Sequence, residues 1–259
     1  MECAPNSNGV PGRLIQLGHD VMELFMPLRA CNKVTARKDL MLAKGSHNWF
    51  KRFGGREVQM LRFFVEPALL ATAHAQRMEY KHVVLVGLSG GAWTLTWAAG
   101  MMPTVRLTIA IAGLCRDALL NSNREAPVRN YHFEQKHLET LITERQLYRL
   151  AAQERGRALL QVFHQFDQCC CAGTSMDWNR VRSLDAVVQS RIDGYFRTAI
   201  LNESAHAVNP TDWSLVLEAI GVLQGNGHVL QPRLDHFRQD MLSTIRARSP
   251  TPAYTRKGR

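Results

Sequence analysis

Two β-branched apolar runs, residues 83–86 and 105–112, enclose the segment "SGGAWTLTWAAGMM", and this arrangement constrains the fold more than any other feature of the chain. The middle segment is rich in good helix formers and stops at Gly100, with Pro103 following, the usual punctuation of a helix C-terminus. A strand, a helix and a second strand at this spacing form a βαβ unit, whose strands run parallel through a right-handed crossover.

The rest of the chain repeats the alternation. Residues 17–28 ("LGHDVMELFMPL") read as a buried strand ended by Pro27, and residues 58–78 as a helix with a kink or restart near Glu66 imposed by Pro67. Residues 133–156 carry helical periodicity with Leu138, Leu141, Ile142, Tyr148 and Ala152 on one side, interrupted by Arg145. This segment is either a crossover helix or a lid. Residues 158–167 predict a strand, 184–192 a helix, 196–202 a strand, and 211–225 a helix capped by Thr211 and closed by Gly225. The expected fold is α/β, a mostly parallel sheet with helices on both faces.

A chain of 259 residues, 46% of them hydrophobic, suffices for one substantial core. We therefore expect a single domain over residues 1–225 and a basic tail over 226–259, part helical and part disordered. No apolar run approaches the roughly 20 residues of a bilayer-spanning helix, so no membrane span is expected. The opening "MECAPNSNGVPGR" lacks the pattern of a secretory signal. The six cysteines include the consecutive Cys169, Cys170 and Cys171, a spacing that suits neither a tetrahedral metal site nor an unstrained vicinal disulfide. Buried packing is the preferred reading, and a reducing cytoplasm follows as the default. The formal charge of +10 raises the question of nucleic acid. The basic residues are scattered, without a basic stripe or a recognition motif, so nucleic acid is not an expected partner.

The chemistry concentrates at "GLSGG". Gly87 and Gly91 stand two before and two after Ser89, the G-x-S-x-G pattern of a nucleophile elbow. In such a turn neighbouring backbones approach too closely for side chains at the glycine positions, and the serine oxygen is presented at the end of a strand. The Gly90 N–H and the helix dipole would face a developing oxyanion. A glycine-flanked turn with no catalytic role has the same local sequence.

A serine needs a base, and the base an orienting acid. Asp167 follows the strand "LLQVFHQFD", and His206 lies in "ILNESAHAVNPTDW" after the next strand. The order Ser89, Asp167, His206 is the one expected of a triad on an open parallel sheet, at whose carboxyl edge ligands bind. Taken singly, Asp167 also reads as a turn cap and His206 as an ordinary surface or core histidine. His47 and His164 could approach the same site, although His164 falls inside a strand. Trp93 and Trp97 read as core.

The ordered set "GHDVMELFMPL", "VVLVGLSGGAWT", "LTIAIAGL", "LLQVFHQFDQCC" and "ILNESAHAV" resembles the α/β-hydrolase superfamily over roughly residues 14–225, in particular its bacterial esterase-like and prolyl-oligopeptidase-like branches. The resemblance implies that Ser89 is the nucleophile, that His206 is general base and then acid, and that Asp167 fixes the imidazole. It implies a serine hydrolase cleaving a small-molecule carboxylic ester through an acyl-enzyme, or an amidase or peptidase using the same groups, without metal or cofactor. Members of the family usually carry further strands at the front, and the loop after the third supplies a second oxyanion donor. Here only about a dozen residues precede the resemblance, so the fold is expected to lack the first strands. Losing one donor costs roughly 100- to 1,000-fold in turnover, which leaves open a different outcome: a non-catalytic, shortened domain acting as a binding module. An incomplete sheet also exposes an edge through which chains could self-associate.

Overall fold

The structure, a computed structural model, describes residues 10–27, 32, 57–115, 136–167, 169 and 176–225. The predicted basic tail, His47, Cys170 and Cys171 lie outside these residues. Chain order is α1 (Val10–Gln16), α2 (Glu57–Arg77), β1 (Val83–Leu88), α3 (Gly90–Met101), β2 (Val105–Ile111), α4 (Lys136–Leu141), α5 (Glu144–Ala151), β3 (Ala158–His164), α6 (Trp178–Gln189), β4 (Tyr195–Leu201) and α7 (Pro210–Gly225).

The four strands form one all-parallel sheet in the order β1-β2-β3-β4. Alternation along each strand sends side chains to two faces. Leu107, Ile109 and Ile111 of β2, with Leu160 and Val162 of β3, pack against Trp213, Val216, Ala219 and Ile220 of α7. Ala110, Leu159 and Phe196 point the other way, into Ala92 and Ala99 of α3, Tyr148 and Ala151 of α5, and Leu184 and Val188 of α6. The expected α/β architecture with helices on both faces is what the chain adopts. Both inner strands are almost wholly buried, which is why they read as continuous apolar runs rather than alternating ones.

Helix α3 is apolar nearly all round because it is covered twice. Its Ala92 and Ala99 face the sheet, while Trp93 and Ala98 meet Leu61, Phe64, Val65 and Ala68 of α2. Phe64 and Trp93 meet edge to face, with ring centroids 5.7 Å apart. Trp93 is core, as expected, at 4% exposure.

Three expectations change. Residues 21–26 belong to no strand, and Met22 and Leu24 are 56% and 41% exposed, so that stretch is not a buried strand. Of the kink or restart expected at Pro67, the restart does not occur, since α2 is one continuous helix from Glu57 to Arg77. The helical segment around residues 133–156 is two helices, because Thr143 starts a new one: its hydroxyl accepts from the Gln146 N–H while the Gln146 side chain accepts from the Thr143 N–H, a reciprocal capping box. With Tyr148 and Ala151 in the core against α3 and β4, α5 serves as part of the crossover layer and not as a lid.

Arg157, only 3% exposed, donates to the carbonyls of Val105, Leu150, Ala99 and Met102. One planar guanidinium thereby satisfies carbonyls at the ends of α3 and α5. Burial lowers its pKa, an effect that the nearby Glu154 carboxylate opposes and Arg106 adds to.

Candidate active site

Strand β1 delivers Ser89 to the carboxyl edge of the sheet in an unusual backbone conformation, φ 56° and ψ −120°. Positive φ costs a non-glycine residue roughly 1–3 kcal/mol and persists only where surrounding structure imposes it. Here the Ser89 N–H donates to the Ile111 carbonyl (2.7 Å) and the Ser89 carbonyl accepts from the Trp93 N–H (3.0 Å). The residue is thus tied to β2 on one side and to the first turn of α3 on the other. A serine at a helix N-cap normally has extended φ and ψ and turns its hydroxyl onto the helix. Ser89 has neither feature: its side chain makes no cap hydrogen bond.

The two flanking glycines are not equivalent. A Cβ on Gly87 would lie 2.7 Å from the Gly91 carbonyl carbon and 2.8 Å from the Ala92 nitrogen, so position 87 admits only glycine. A Cβ on Gly91 would meet no heavy atom within 4 Å. The steric demand expected at both positions therefore falls on Gly87, because it is the strand residue that the head of α3 crosses. A second close approach comes from Gly113, where a Cβ would sit 2.6 Å from the Ser89 carbonyl oxygen. The sequence signal for that contact was only a glycine directly after a buried strand. Gly90 opens α3, and its N–H is among those a helix start leaves without an internal partner.

Asp167 follows β3 and is 2% exposed. Its Oδ1 accepts from the Cys169 N–H at 2.7 Å, and its Oδ2 accepts from His206 Nδ1 at 2.6 Å. The two loops that carry the pair are stitched beyond the strands: the Gln165 N–H donates to the Leu201 carbonyl and the Phe166 N–H to the Glu203 carbonyl. His206 sits between β4 and α7 with about a quarter of its side chain exposed (24%). With Nδ1 directed at the carboxylate, Nε2 is the ring nitrogen left over. The structure thus brings Asp167 and His206 into contact. Among the described residues no hydrogen bond joins the Ser89 hydroxyl to His206.

The cysteine beside the acid is not a free thiol. Cys115, in the chain after β2, and Cys169 are each disulfide-bonded, and both lie in one cluster with Phe163, Met176 and Val181. The expectation of free buried cysteine therefore fails at Cys169. Among the described residues no group of three His, Cys, Asp or Glu side chains could hold a metal ion, and no helix is long and apolar enough to cross a membrane.

The start of α7 also differs from expectation. Asn209, not Thr211, is the cap: its Oδ1 accepts from the Thr211 and Asp212 N–H groups, and Asp212 Oδ2 accepts from the Asn209 N–H. Pro210 takes the first helical position, where its missing N–H is not needed. The pattern "NPTD" carried this signal. Asp212 Oδ1 meanwhile accepts from His164 Nε2 at 2.8 Å, and both side chains are fully buried.

Neither protein-family models nor curated proteins give a match to this chain. Among solved structures, the acylaminoacyl peptidase of Pyrococcus horikoshii is similar with a TM-score of 0.34 and 14% identity, over 49% of this chain and 20% of that one. The similarity spans about a fifth of the peptidase.

Proposed function

We propose that the chain is a serine hydrolase of the α/β-hydrolase type, cleaving a carboxylic ester through an acyl-enzyme. The observation that carries this reading is the 2.6 Å contact of His206 Nδ1 with Asp167 Oδ2, formed between residues 39 apart in sequence, at the sheet edge that also holds Ser89. In this reading the carboxylate sets the imidazole tautomer, with hydrogen on Nδ1 and the lone pair on Nε2. Nε2 takes the Ser89 hydroxyl proton as Oγ attacks the ester carbonyl, and returns it to the departing alcohol. A water, deprotonated by the same nitrogen, then releases the acid and regenerates Ser89. The Gly90 N–H at the head of α3 stabilises the oxyanion of each tetrahedral intermediate. The conformation of Ser89 supports this role, since it withholds the hydroxyl from the cap that a serine would otherwise make.

Covalent labelling by a fluorophosphonate probe tests the reading. The folded protein is expected to label at Ser89, Ser89→Ala to label not at all, and His206→Ala and Asp167→Asn to label on the order of 1,000-fold more slowly or worse. A wild-type protein that remains unlabelled at millimolar probe refutes the proposal.

A further inference from the structure

His164 is the last residue of β3 and has no place in the chemistry just described, yet it forms a fully enclosed titratable contact at this end of the sheet. Its side chain and that of Asp212 are both 0% exposed. Nε2 lies 2.8 Å from Asp212 Oδ1, and Nδ1 lies 3.1 Å from the carbonyl oxygen of Ala205. Both neighbours are acceptors. A carbonyl cannot donate, a neutral imidazole carries only one N–H, and an unpaired polar atom in a dry site is costly. Both contacts are satisfied together when the ring carries two hydrogens and a positive charge, which the adjoining Asp212 carboxylate balances.

The two anchors matter because of where they lead. Ala205 immediately precedes His206, so the carbonyl that His164 holds belongs to the peptide that begins the His206 residue. Asp212 is fixed in turn by the Asn209 N–H at 2.9 Å, in the cap that starts α7. The loop between β4 and α7 is therefore pinned at two points to one buried ring: at 205 directly, and at 209–212 through Asp212. The charged groups facing that ring are Asp212 from α7 and, at longer range, Asp167 from the turn after β3.

We infer that His164, as a buried imidazolium held in place by Asp212, is the positioning residue that, through its Nδ1–H to the Ala205 carbonyl, sets the His206 backbone and hence the Asp167–His206 contact. The inference builds on the proposed role of His206. It is tested so that the two fail separately.

In His164→Asn the amide nitrogen overlies the position of Nδ1 and keeps the bond to Ala205. In His164→Gln it overlies Nε2 and keeps only the bond to Asp212. If the ring acts through Ala205, the glutamine variant loses about 10-fold or more in labelling rate at Ser89, given how steeply reactivity depends on sub-ångström placement, while the asparagine variant stays within about 3-fold of wild type. The His206 Nδ1–H proton resonance, sharp in the wild type, broadens by solvent exchange in the glutamine variant and persists in the asparagine one. Equal losses in both variants, or none in either, overturn the inference. A purely structural role would give such a parallel loss. Nitrogen NMR of the unmodified protein decides the matter if neither variant folds: His164 must show two ring N–H groups at pH 6, and a single one overturns the proposal. A wild-type protein that shows both ring protons but never labels would defeat the hydrolase reading and leave the loop anchor standing.

Discussion

His206 Nδ1 and Asp167 Oδ2 are 2.6 Å apart, and the other oxygen of the same carboxylate accepts the Cys169 N–H at 2.7 Å. The Asp167 carboxylate is thus held from both sides, by the His206 ring and by the backbone of a cysteine engaged in a disulfide. A buried carboxylate with both oxygens bonded has little freedom to rotate, which is the property that orienting an imidazole requires.

That arrangement makes Cys169 a sensitive position. Cys169→Ser removes the cross-link but keeps the N–H. We expect a loss of about 2–4 kcal/mol in stability from urea melts, as for other native disulfides. We also expect slower labelling of Ser89, because the turn that holds Asp167 is then tethered only by its hydrogen bonds. Dithiothreitol should reproduce both effects in the wild type and neither in the variant. A variant as stable as the wild type would show that the disulfide constrains nothing.

The positive φ of Ser89 predicts a difference in stability between two unreactive variants. Glycine adopts positive φ without steric penalty, so Ser89→Gly should be about 1 kcal/mol more stable than Ser89→Ala while both are inert to the probe. Chemical denaturation of the pair compares them directly. Equal stabilities would mean that the φ of 56° carries no cost.

The flanking glycines should separate just as clearly. Gly87→Ala forces a methyl into the backbone of Gly91 and Ala92 and is expected to cost about 1–3 kcal/mol, as overpacking does. Gly91→Ala enters open space inside α3 and should stabilise by up to about 1 kcal/mol through helix propensity. Thermal melts that rank the two variants the other way would contradict the close approach at position 87.

His164 gives stability a pH dependence of definite sign. Burial acts to lower its pKa, and the hydrogen bond and charge of Asp212, the Ala205 carbonyl and the charge of Asp167 outweigh that, leaving the folded value above the ordinary 6.5. The folded state then binds a proton more tightly than the unfolded chain does. This contribution is complete below pH 6.5 and declines as pH rises through the folded value. Urea titrations at pH 5.5 to 9 should show the decline in the wild type and a flatter profile in His164→Asn. An unchanged slope in the variant would assign the pH dependence to other groups.

Much of the architecture was legible in the chain. The four strands, their parallel direction and the helices between them follow from short apolar runs and turn residues, which act within a few positions of themselves. Ser89, Asp167 and His206 could be singled out in the sequence because each follows a different strand, and the structure brings two of them, Asp167 and His206, into contact. The failures have physical causes. Residues 21–26 are apolar enough for a strand but find no ladder partner among the described residues, and composition does not report partners. Gly91 looked as constrained as Gly87 because a motif records spacing and not which residue another element crosses.

By itself, the sequence determined the order of elements and the chemical types placed at their ends, since periodicity, caps and glycine turns are local. Only the tertiary structure decided which distant groups meet: Asp167 with His206, and His164 with Asp212 and Ala205. Those contacts span tens of residues and depend on the parallel stacking of β3 beside β4 and on the anchoring of α7. The role of His164 was invisible inside an apolar strand for that reason: a buried histidine acquires a charge and a task only from the acceptors that the fold brings to its two nitrogens.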